Sequence, residues 1–392
     1  MSEEKLVPKL RFSGFDDEWK NCKLQEICKV QDGTHTTPNY VDEGVPFYSV
    51  ETITSDAPPK FIAYEEHETL IKRCKPQFGD ILLTRIGTLA KSKVIDWNNE
   101  FSIYVSLALL SSIKINNYYL NQYIQTETYQ KEFLKRSLLL AVPQKINLKD
   151  LNETIVKFPS IKEQEKIANF FSAIDKKIEL LDEKRKSYLD FKRYLMQQIF
   201  AQKLRFDETE SWKIMKIDSL ISEYKEKAGN NNFPVLSSTL SGIYLQSDYF
   251  DKNVNSEDTT DYKIVPKGYF TYRSMSDTGV FRFNIQNIVE KGIISPAYPV
   301  FTTNNINDIF LEQYLNNSSF IKRQILTLKE GGTRYALGLN KFKKLKIEVP
   351  SINEQNEIAS CFETVNNKIN NIYKELNFVN DFKKGLLQQM FV

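Results

Sequence analysis

Apolar residues recur in alternating steps of four and three along two long stretches, residues 160–200 and 351–391, and this spacing predicts two long helices. The first stretch places on one stripe Ile167, Phe171, Ile174, Ile178, Leu181, Arg185, Tyr188, Lys192, Leu195 and Ile199. The second stretch places there Ile358, Phe362, Val365, Ile369, Ile372, Leu376, Val379, Lys383, Leu386 and Met390. Such spacing is typical of a coiled-coil seam. We therefore predict that the helices, each roughly 60 Å long at 1.5 Å per residue, form an antiparallel coiled coil; otherwise each is a core helix of its own domain.

The two stretches are copies of one sequence, offset by 191 residues. The segment 159–164 answers 350–355, and 190–192 answers 381–383. A shorter copy lies upstream, where Lys-Leu-Arg-Phe at 9–12 recurs at 203–206 and a Trp-Lys pair follows each, at Trp19 and Trp212. A repeat of this length indicates two similar halves and an internal pseudo-twofold arrangement.

Each predicted helix begins with a Ser-x-x-Glu pattern. The pairs are Ser160 with Glu163 and Ser351 with Glu354. In a capping box the serine oxygen accepts from the third helical N–H, and the glutamate reaches back to the cap. We expect both helices to begin in this way.

Between these elements the chain favours short strands and one further helix in each half. β-branched and aromatic runs bounded by turn residues occupy 45–50, 80–85, 101–110, 154–158, 233–240, 268–273, 280–289, 297–302 and 345–349. Residues 117–136 are expected to form a helix. The fold class predicted is α+β, with two globular domains containing mixed β-sheets, separated by the two long helices. The domains expected are residues 1–158 and 201–349, with the long helices at 159–200 and 350–392.

Composition narrows the function classes. The 392 residues carry a net charge of only +3, and aromatic residues make up 12% of the chain, which argues against disorder. The four cysteines have no C-x2-C spacing and there are two histidines, so we expect no metal site and no cofactor. Without an apolar leader or an 18-residue apolar run, the protein is expected to be cytoplasmic.

Specific motifs resemble one family. The segments Pro-Ser-Ile-x-Glu-Gln-x-x-Ile-Ala and Leu-x-Gln-Gln-x-Phe, at the two ends of each long helix, are similar to those of the DNA specificity subunit of type I restriction–modification systems, HsdS. The segments 8–12, 79–82, 142–147 and 295–298 resemble its target-recognition domains. The second half departs from the pattern at 333–337, where Val-Pro-Gln-Lys-Ile-Asn has no clear counterpart.

This resemblance implies a function and a set of partners. Each recognition domain would bind one half of a bipartite site on double-stranded DNA. The helices would act as a spacer and dock two modification (methyltransferase, HsdM-type) subunits, through which restriction (HsdR-type) subunits join the complex.

No catalytic residues are predicted. The chain lacks an Asn- or Asp-Pro-Pro-aromatic motif for a flipped base, a Gly-rich methyl-donor fingerprint and a nucleotide-binding G-x-x-x-x-G-K loop. We therefore interpret it as a non-catalytic subunit. The alternatives are a stand-alone methyltransferase or nuclease, and a coiled-coil scaffold with two protein-binding modules.

Polar and basic residues in loops beside the strands are the candidates for DNA contacts, because Lys and Arg bind phosphates while Arg, Gln and Asn read base edges. In the first half they are Thr34, His35, Thr36, Arg85, Thr88, Lys91, Lys93, Gln144 and Lys145. In the second half they are Arg273, Ser274, Arg282, Lys329, Thr333, Arg334 and Tyr335.

Overall fold

The structure is a computed structural model that describes residues 6–55, 57–249, 258–327 and 335–392. The chain forms two compact units. Unit 1 contains residues 1–182 and 373–392, and unit 2 contains residues 183–372. Each unit combines small β-sheets with helices around its own hydrophobic core.

Unit 1 contains ten strands and six short helices among its described residues. The strands are β1 (Lys20–Lys23), β2 (Lys29–Asp32), β3 (Tyr40–Val41), β4 (Val45–Tyr48), β5 (Lys60–Ile62), β6 (Ile81–Thr84), β7 (Ser92–Val94), β8 (Ser102–Ile103), β9 (Leu107–Ser111) and β10 (Ile155–Phe158). The helices are α1 (Leu24–Ile27), α2 (Val50–Thr54), α3 (Tyr64–Ile71), α4 (Asn117–Ile124), α5 (Glu127–Lys135) and α6 (Leu148–Asn152).

The strands of unit 1 form two four-stranded sheets and one two-stranded ribbon. The first sheet has the antiparallel order β2-β9-β6-β7. The second has the order β3-β5-β4-β8 and is mixed, because β4 and β8 are parallel. The ribbon pairs β1 with β10. The single helix predicted over 117–136 is two helices, because Thr126 caps a new helix by accepting from the Tyr129 N–H.

Unit 2 continues the numbering. Its strands are β11 (Lys213–Lys216), β12 (Ile221–Glu223), β13 (Leu236–Thr239), β14 (Gly242–Leu245), β15 (Lys263–Pro266), β16 (Phe270–Tyr272), β17 (Met275–Ser276), β18 (Phe283–Ile285), β19 (Lys291–Ile294), β20 (Val300–Thr303), β21 (Tyr335–Ala336) and β22 (Lys346–Val349). Helix α7 (Ile161–Phe200) precedes them, and the remaining helices are α8 (Gln246–Tyr249), α9 (Asp308–Asn317), α10 (Ser319–Thr327), α11 (Leu339–Lys344) and α12 (Ile352–Met390).

The main sheet of unit 2 has the same connectivity as the first sheet of unit 1. Its order is β12-β20-β16-β18, and each of these strands stands 188 to 193 residues or so after its counterpart in β2-β9-β6-β7. Four two-stranded ribbons complete the unit: β13-β14, β15-β19, β17-β21 and β11-β22. The last of these corresponds to the β1-β10 ribbon.

The long helices α7 and α12 lie where the apolar spacing predicts them. In unit 1 the first half of α7 contacts the last half of α12 through the Lys177–Glu375 ion pair at 3.0 Å. It also contacts Phe391, the residue after α12, whose ring lies 5.7 Å from that of Phe171. In unit 2 the rings of Phe200 and Phe362 lie 5.8 Å apart.

The predicted seam residues face inward. Those that are buried are Ile167, Phe171, Leu181, Leu195, Ile358, Phe362, Val365, Ile372 and Leu386. Those that are half-buried are Ile174, Ile178, Ile369 and Leu376.

The capping-box prediction is wrong for the glutamates. Glu163 accepts two hydrogen bonds from the Arg11 guanidinium, both at 2.8 Å. Glu354 accepts from Arg205 Nε at 2.7 Å and Nη2 at 2.8 Å. The carboxylates therefore hold an arginine of the preceding lead-in segment, since a charged bidentate partner binds more strongly than a backbone N–H. Ser351 still accepts from the Glu354 N–H at 3.3 Å.

Among the described residues, none of the helices combines the length and the apolar character that a membrane-spanning segment requires.

Candidate nucleic-acid interface

In unit 1, three loop segments meet at one end of the β2-β9-β6-β7 sheet. They are residues 33–36 after β2, residues 85–91 after β6, and residues 138–146 before α6; we call them together the loop face of unit 1. Gly33 allows the first segment to pass the backbone of β8, because a Cβ there would lie 1.9 Å from the Ile103 carbonyl oxygen. The Gly87 N–H donates to the Gln144 carbonyl at 2.8 Å, and the Ile146 N–H donates to the Arg85 carbonyl at 3.0 Å.

Asp32, the last residue of β2, ties these segments together. It is only 4% exposed. Its carboxylate accepts from Arg73 Nη2 at 2.7 Å and Arg85 Nη1 at 3.3 Å, and lies 2.9 Å from His35 Nε2. A buried carboxylate is stable in its charged form only when it is paired and hydrogen-bonded. The cluster around Asp32 therefore fixes the position of the loop face at the end of β2.

The sequence suggests that Arg85 is exposed, but the structure places its side chain inside unit 1, where it holds neighbouring loops together. Its side chain is buried, and besides Asp32 it donates to the carbonyls of Ile146 at 3.2 Å and Val105 at 2.9 Å. Burial lowers the pKa of the guanidinium, and Asp32 opposes that shift. Since the side chain is buried and its Nε and Nη1 donate internally, we remove Arg85 from the candidates for nucleic-acid contact.

The other candidates of unit 1 lie on or beside the loop face. His35, Thr36, Thr88, Lys91, Lys93 and Gln144 are exposed, and Thr34 and Lys145 are half-buried. The Lys93 ammonium lies 5.1 Å above the Trp97 ring. Exposed cations and amides on loops with anchored backbones can contact phosphates and base edges.

In unit 2, the loop after β16 and the segment around β21 lie at the end of the β12-β20-β16-β18 sheet that corresponds to the loop face of unit 1. Arg273 follows β16 as Arg85 follows β6, and the Leu337 N–H donates to the Ser274 carbonyl at 2.8 Å. Strand β17 pairs with β21, which sets Ser276 opposite Tyr335. Unlike Arg85, Arg273 is exposed, and within the described residues its guanidinium has no ion pair.

A cleft of about 650 Å³ with both polar and apolar walls opens at this end of unit 2. Its walls carry the side chains of Arg273 and Arg282 together with the hydroxyl-rich turn 237–241. The buried Nε of Arg282 has no hydrogen-bond partner among the described residues. Ser274 points elsewhere, because its hydroxyl donates to the Ala297 carbonyl at 2.8 Å.

An acid of helix α9, Glu312, lies near Arg282. Burial raises the pKa of Glu312, and the nearby charges of Arg282 and Lys192 oppose that rise. Burial lowers the pKa of Lys192, and Arg282 lowers it further. Arg273 and Arg282 place two cations on the wall of the cleft, and Lys192 and Glu312 lie near Arg282. This excess of positive charge favours an anionic ligand.

Three candidates, Lys329, Thr333 and Arg334, lie outside the described residues. Tyr335 is described and half-buried, with its ring 3.3 Å from where a Cβ of Gly279 would stand.

Sequence reasoning missed two features of unit 1. Asp32 looked like an ordinary turn residue beside Gly33, although an acid that closes a β-strand before a glycine was a usable signal. The apolar run at residues 138–141 was not singled out, and Val142 was considered only as part of a family motif, although Leu140 and Val142 are each 99% exposed.

Metal-ligating groups and cysteine thiols bear on other kinds of chemistry. No group of three or more His, Cys, Asp or Glu side chains is placed there to hold a metal ion. Burial raises the pKa of Cys28 to about 12 and that of Cys74 to about 11, so neither thiol forms a nucleophilic thiolate near neutral pH.

Comparison with known families gives one consistent result. The family model of the type I restriction modification DNA specificity domain matches the chain twice, over residues 16–188 and 210–380. A curated relative from Methanocaldococcus jannaschii, named as a specificity subunit of the type I restriction enzyme MjaX, is 23% identical over 98% of this chain and 95% of its own.

Solved structures of the same kind share the fold. The S subunit of a type I restriction–modification system from M. genitalium aligns with a TM-score of 0.61 and 15% identity, over 99% of both chains. A chain from a study of complex assembly and conformational transition in a type I R-M system aligns with a TM-score of 0.55 and 12% identity, over 96% of this chain and 98% of that one.

Proposed function

Because the chain belongs to the family of type I restriction–modification DNA specificity subunits, with two copies of the specificity domain, we propose that each unit reads one half of a bipartite DNA target. The observation that supports this proposal most directly is that the same end of the sheet carries a similar arrangement of loops in both units. Both units bring a post-strand loop and a second segment together at the same end of sheets with the same strand order.

In unit 1, we assign phosphate contacts to Lys91, Lys93 and Lys145 and base contacts to Thr88 and Gln144. Lysines on the rim supply affinity that depends on salt. An amide side chain can pair with adenine N6 and N7 in the major groove. The backbone bond between Gly87 and Gln144 holds these two loops at one distance from each other.

In unit 2, Arg273 is the leading candidate for a base contact. It is exposed, it follows the strand directly, and it lines the cleft. A bidentate pair with guanine O6 and N7 is the contact that its planar fork suits best. Arg282 also lines the cleft, where its terminal guanidinium nitrogens would hold a phosphate or a base edge.

The two long helices are proposed to form an antiparallel coiled coil that sets the distance between half-sites. Support comes from the buried seam and from the contacts found in each unit. Lys383 interrupts the seam, yet it forms a 2.6 Å ion pair with Asp175 and a 3.2 Å hydrogen bond to Gln125, which suits a residue that fixes register.

An insertion tests the spacer role. Four residues added after Leu181 lengthen α7 by about 6 Å at 1.5 Å per residue. Because base pairs rise about 3.4 Å each, the gap between half-sites should grow by one or two base pairs while both half-site sequences stay unchanged. An unchanged gap would contradict the spacer role.

Each unit also offers an exposed aromatic patch on its long helix, and we assign these two patches to two methyltransferase subunits. Phe378 and Phe382 of unit 1 are exposed and their rings stack at 6.4 Å. Phe191 and Tyr194 of unit 2 are exposed, and Phe191 occupies the repeat position of Phe382. Exposed aromatic pairs of this kind mark protein interfaces.

We assign DNA methylation to the methyltransferase subunits, and restriction subunits would join the complex through them. The test is methylation by the assembled complex. The chain alone, incubated with DNA, methyl donor and magnesium, should leave DNA unmodified, whereas the complex with methyltransferase subunits should methylate a two-part sequence. Methylation or cleavage by the chain alone would contradict a non-catalytic role.

A further inference from the structure

The tip of the third segment of the loop face in unit 1 is apolar and fully exposed. Leu140 and Val142 are each 99% exposed, and Leu138 and Leu139 are nearly half exposed. Large apolar side chains on monomeric surfaces usually lie against neighbours for part of their area, so a projecting group of them marks a contact site.

The base of this loop is firmly held. The Leu138 N–H donates to the Lys145 carbonyl at 2.7 Å, and the Ala141 N–H donates to the Leu138 carbonyl at 3.3 Å. On one side the fully buried Phe133 anchors the end of α5, and on the other the fully buried Ile146 is bonded to Arg85. The tip therefore projects from a base fastened to the core.

The surroundings of the tip indicate an anionic partner. From residue 132 to residue 150 the sequence contains four cations, Lys135, Arg136, Lys145 and Lys149, and two acids, Glu132 and Asp150. Glu132 pairs with Arg136 at 2.6 Å, so the three lysines give the segment its positive charge. An apolar tip on a basic segment suits DNA, in which phosphates flank stacked bases, better than an apolar protein surface.

We propose that Leu140 and Val142 form a wedge that enters a base step of the half-site read by unit 1 and unstacks it. Leu and other apolar side chains act in this way in proteins that kink DNA. The step next to the wedge would then be chosen partly by how readily it deforms, without a direct hydrogen bond. This inference rests on the proposed function, since it requires unit 1 to bind a half-site.

The probe is 2-aminopurine, which brightens when it is unstacked. It is placed in turn at each purine of the first half-site except the methylated adenine, in duplexes bound by the complete complex with methyltransferase subunits. The wild type should brighten the probe severalfold at one step. The double variant Leu140→Ser, Val142→Ser should lose that signal and bind about tenfold more weakly. Leu326→Ser, the same change at an exposed leucine of unit 2, should leave the signal intact.

The outcomes separate the wedge from the proposed function. A wild-type complex that binds the target without brightening any probe overturns the wedge alone. So does a double variant that brightens the probe as the wild type does, or one that fails to assemble with the methyltransferase, which would place the tip in a protein interface. Sensitivity to thymine-to-uracil replacement without brightening would make the tip a reader of thymine methyl groups instead. Failure of the wild type to bind any mapped target would overturn both proposals.

Discussion

The glutamate at the start of each long helix allows a matched test of buried electrostatics. Glu354 is 1% exposed and accepts from Arg205, from the Trp212 indole Nε1 at 3.1 Å and from the Phe206 N–H at 3.3 Å. Glu354→Ala would leave the Arg205 charge without its partner in a site where that side chain is only 12% exposed. Breaking a buried pair on one side costs about 3–5 kcal/mol.

Unit 1 has the same pair without the indole bond. Glu163 binds Arg11, whereas the buried Nε1 of Trp19 has no hydrogen-bond partner among the described residues. The difference is isolated by a double-mutant cycle, in which the volume lost by Trp→Phe cancels. We expect Glu354→Ala and Trp212→Phe to couple by about 1–2 kcal/mol, and the equivalent changes in unit 1 to couple by about zero.

Hydrogen exchange read by mass spectrometry is the assay, because the two units of one chain need not unfold together. The peptides to follow are residues 204–213 and 10–20. A coupling of about 1–2 kcal/mol corresponds to about 5- to 30-fold in the opening equilibrium of the first peptide. Equal coupling in both units, or none in unit 2, would refute the reasoning.

Two further predictions compare matched positions. Arg273→Ala should weaken only the second half-site by about 1–3 kcal/mol in binding assays. Arg85→Ala should instead destabilise unit 1 by about 3 kcal/mol, measured by hydrogen exchange. If Arg273→Ala changed only stability, or Arg85→Ala changed only DNA binding, our roles for these two arginines would be wrong. Lys192→Met should stabilise unit 2 at neutral pH, because burial and Arg282 lower the pKa of that ammonium, whereas Lys383→Met should destabilise unit 1 by about 1 kcal/mol through loss of its ion pair. Since the folded protein loses the Lys192 proton before the unfolded chain does, the gain from Lys192→Met should shrink as the pH rises toward 10.5; a gain independent of pH would show that the charge is not its cause.

Regular elements could be predicted because their signals are local. The four-three spacing of residues such as Phe171 and Phe362 predicted the long helices, and β-branched runs predicted strands such as β6 and β22. The break between α4 and α5 was missed, since Thr126 signals a cap only once Tyr129 is known to donate to it.

The placement of functional side chains depended on contacts between distant residues. Asp32 and Arg85 are 53 residues apart, so no local sequence pattern could predict that they pair. For the same reason the sequence did not show that Arg273, which occupies the equivalent position in unit 2, is exposed. Glu163 was read as a cap for the same reason, because its true partner Arg11 lies 152 residues away. The Thr88 and Gln144 assignments remain predictions.

The central claim is that one chain reads two half-sites, one with each unit. Its most direct test is genome-wide mapping of methylated adenines in cells that supply the methyltransferase, first with this chain and then with a chimaera whose residues 210–349 come from a relative. We predict a two-part motif with a fixed gap in which the exchange alters one half only. A single uninterrupted motif, or a change in both halves, would contradict the account.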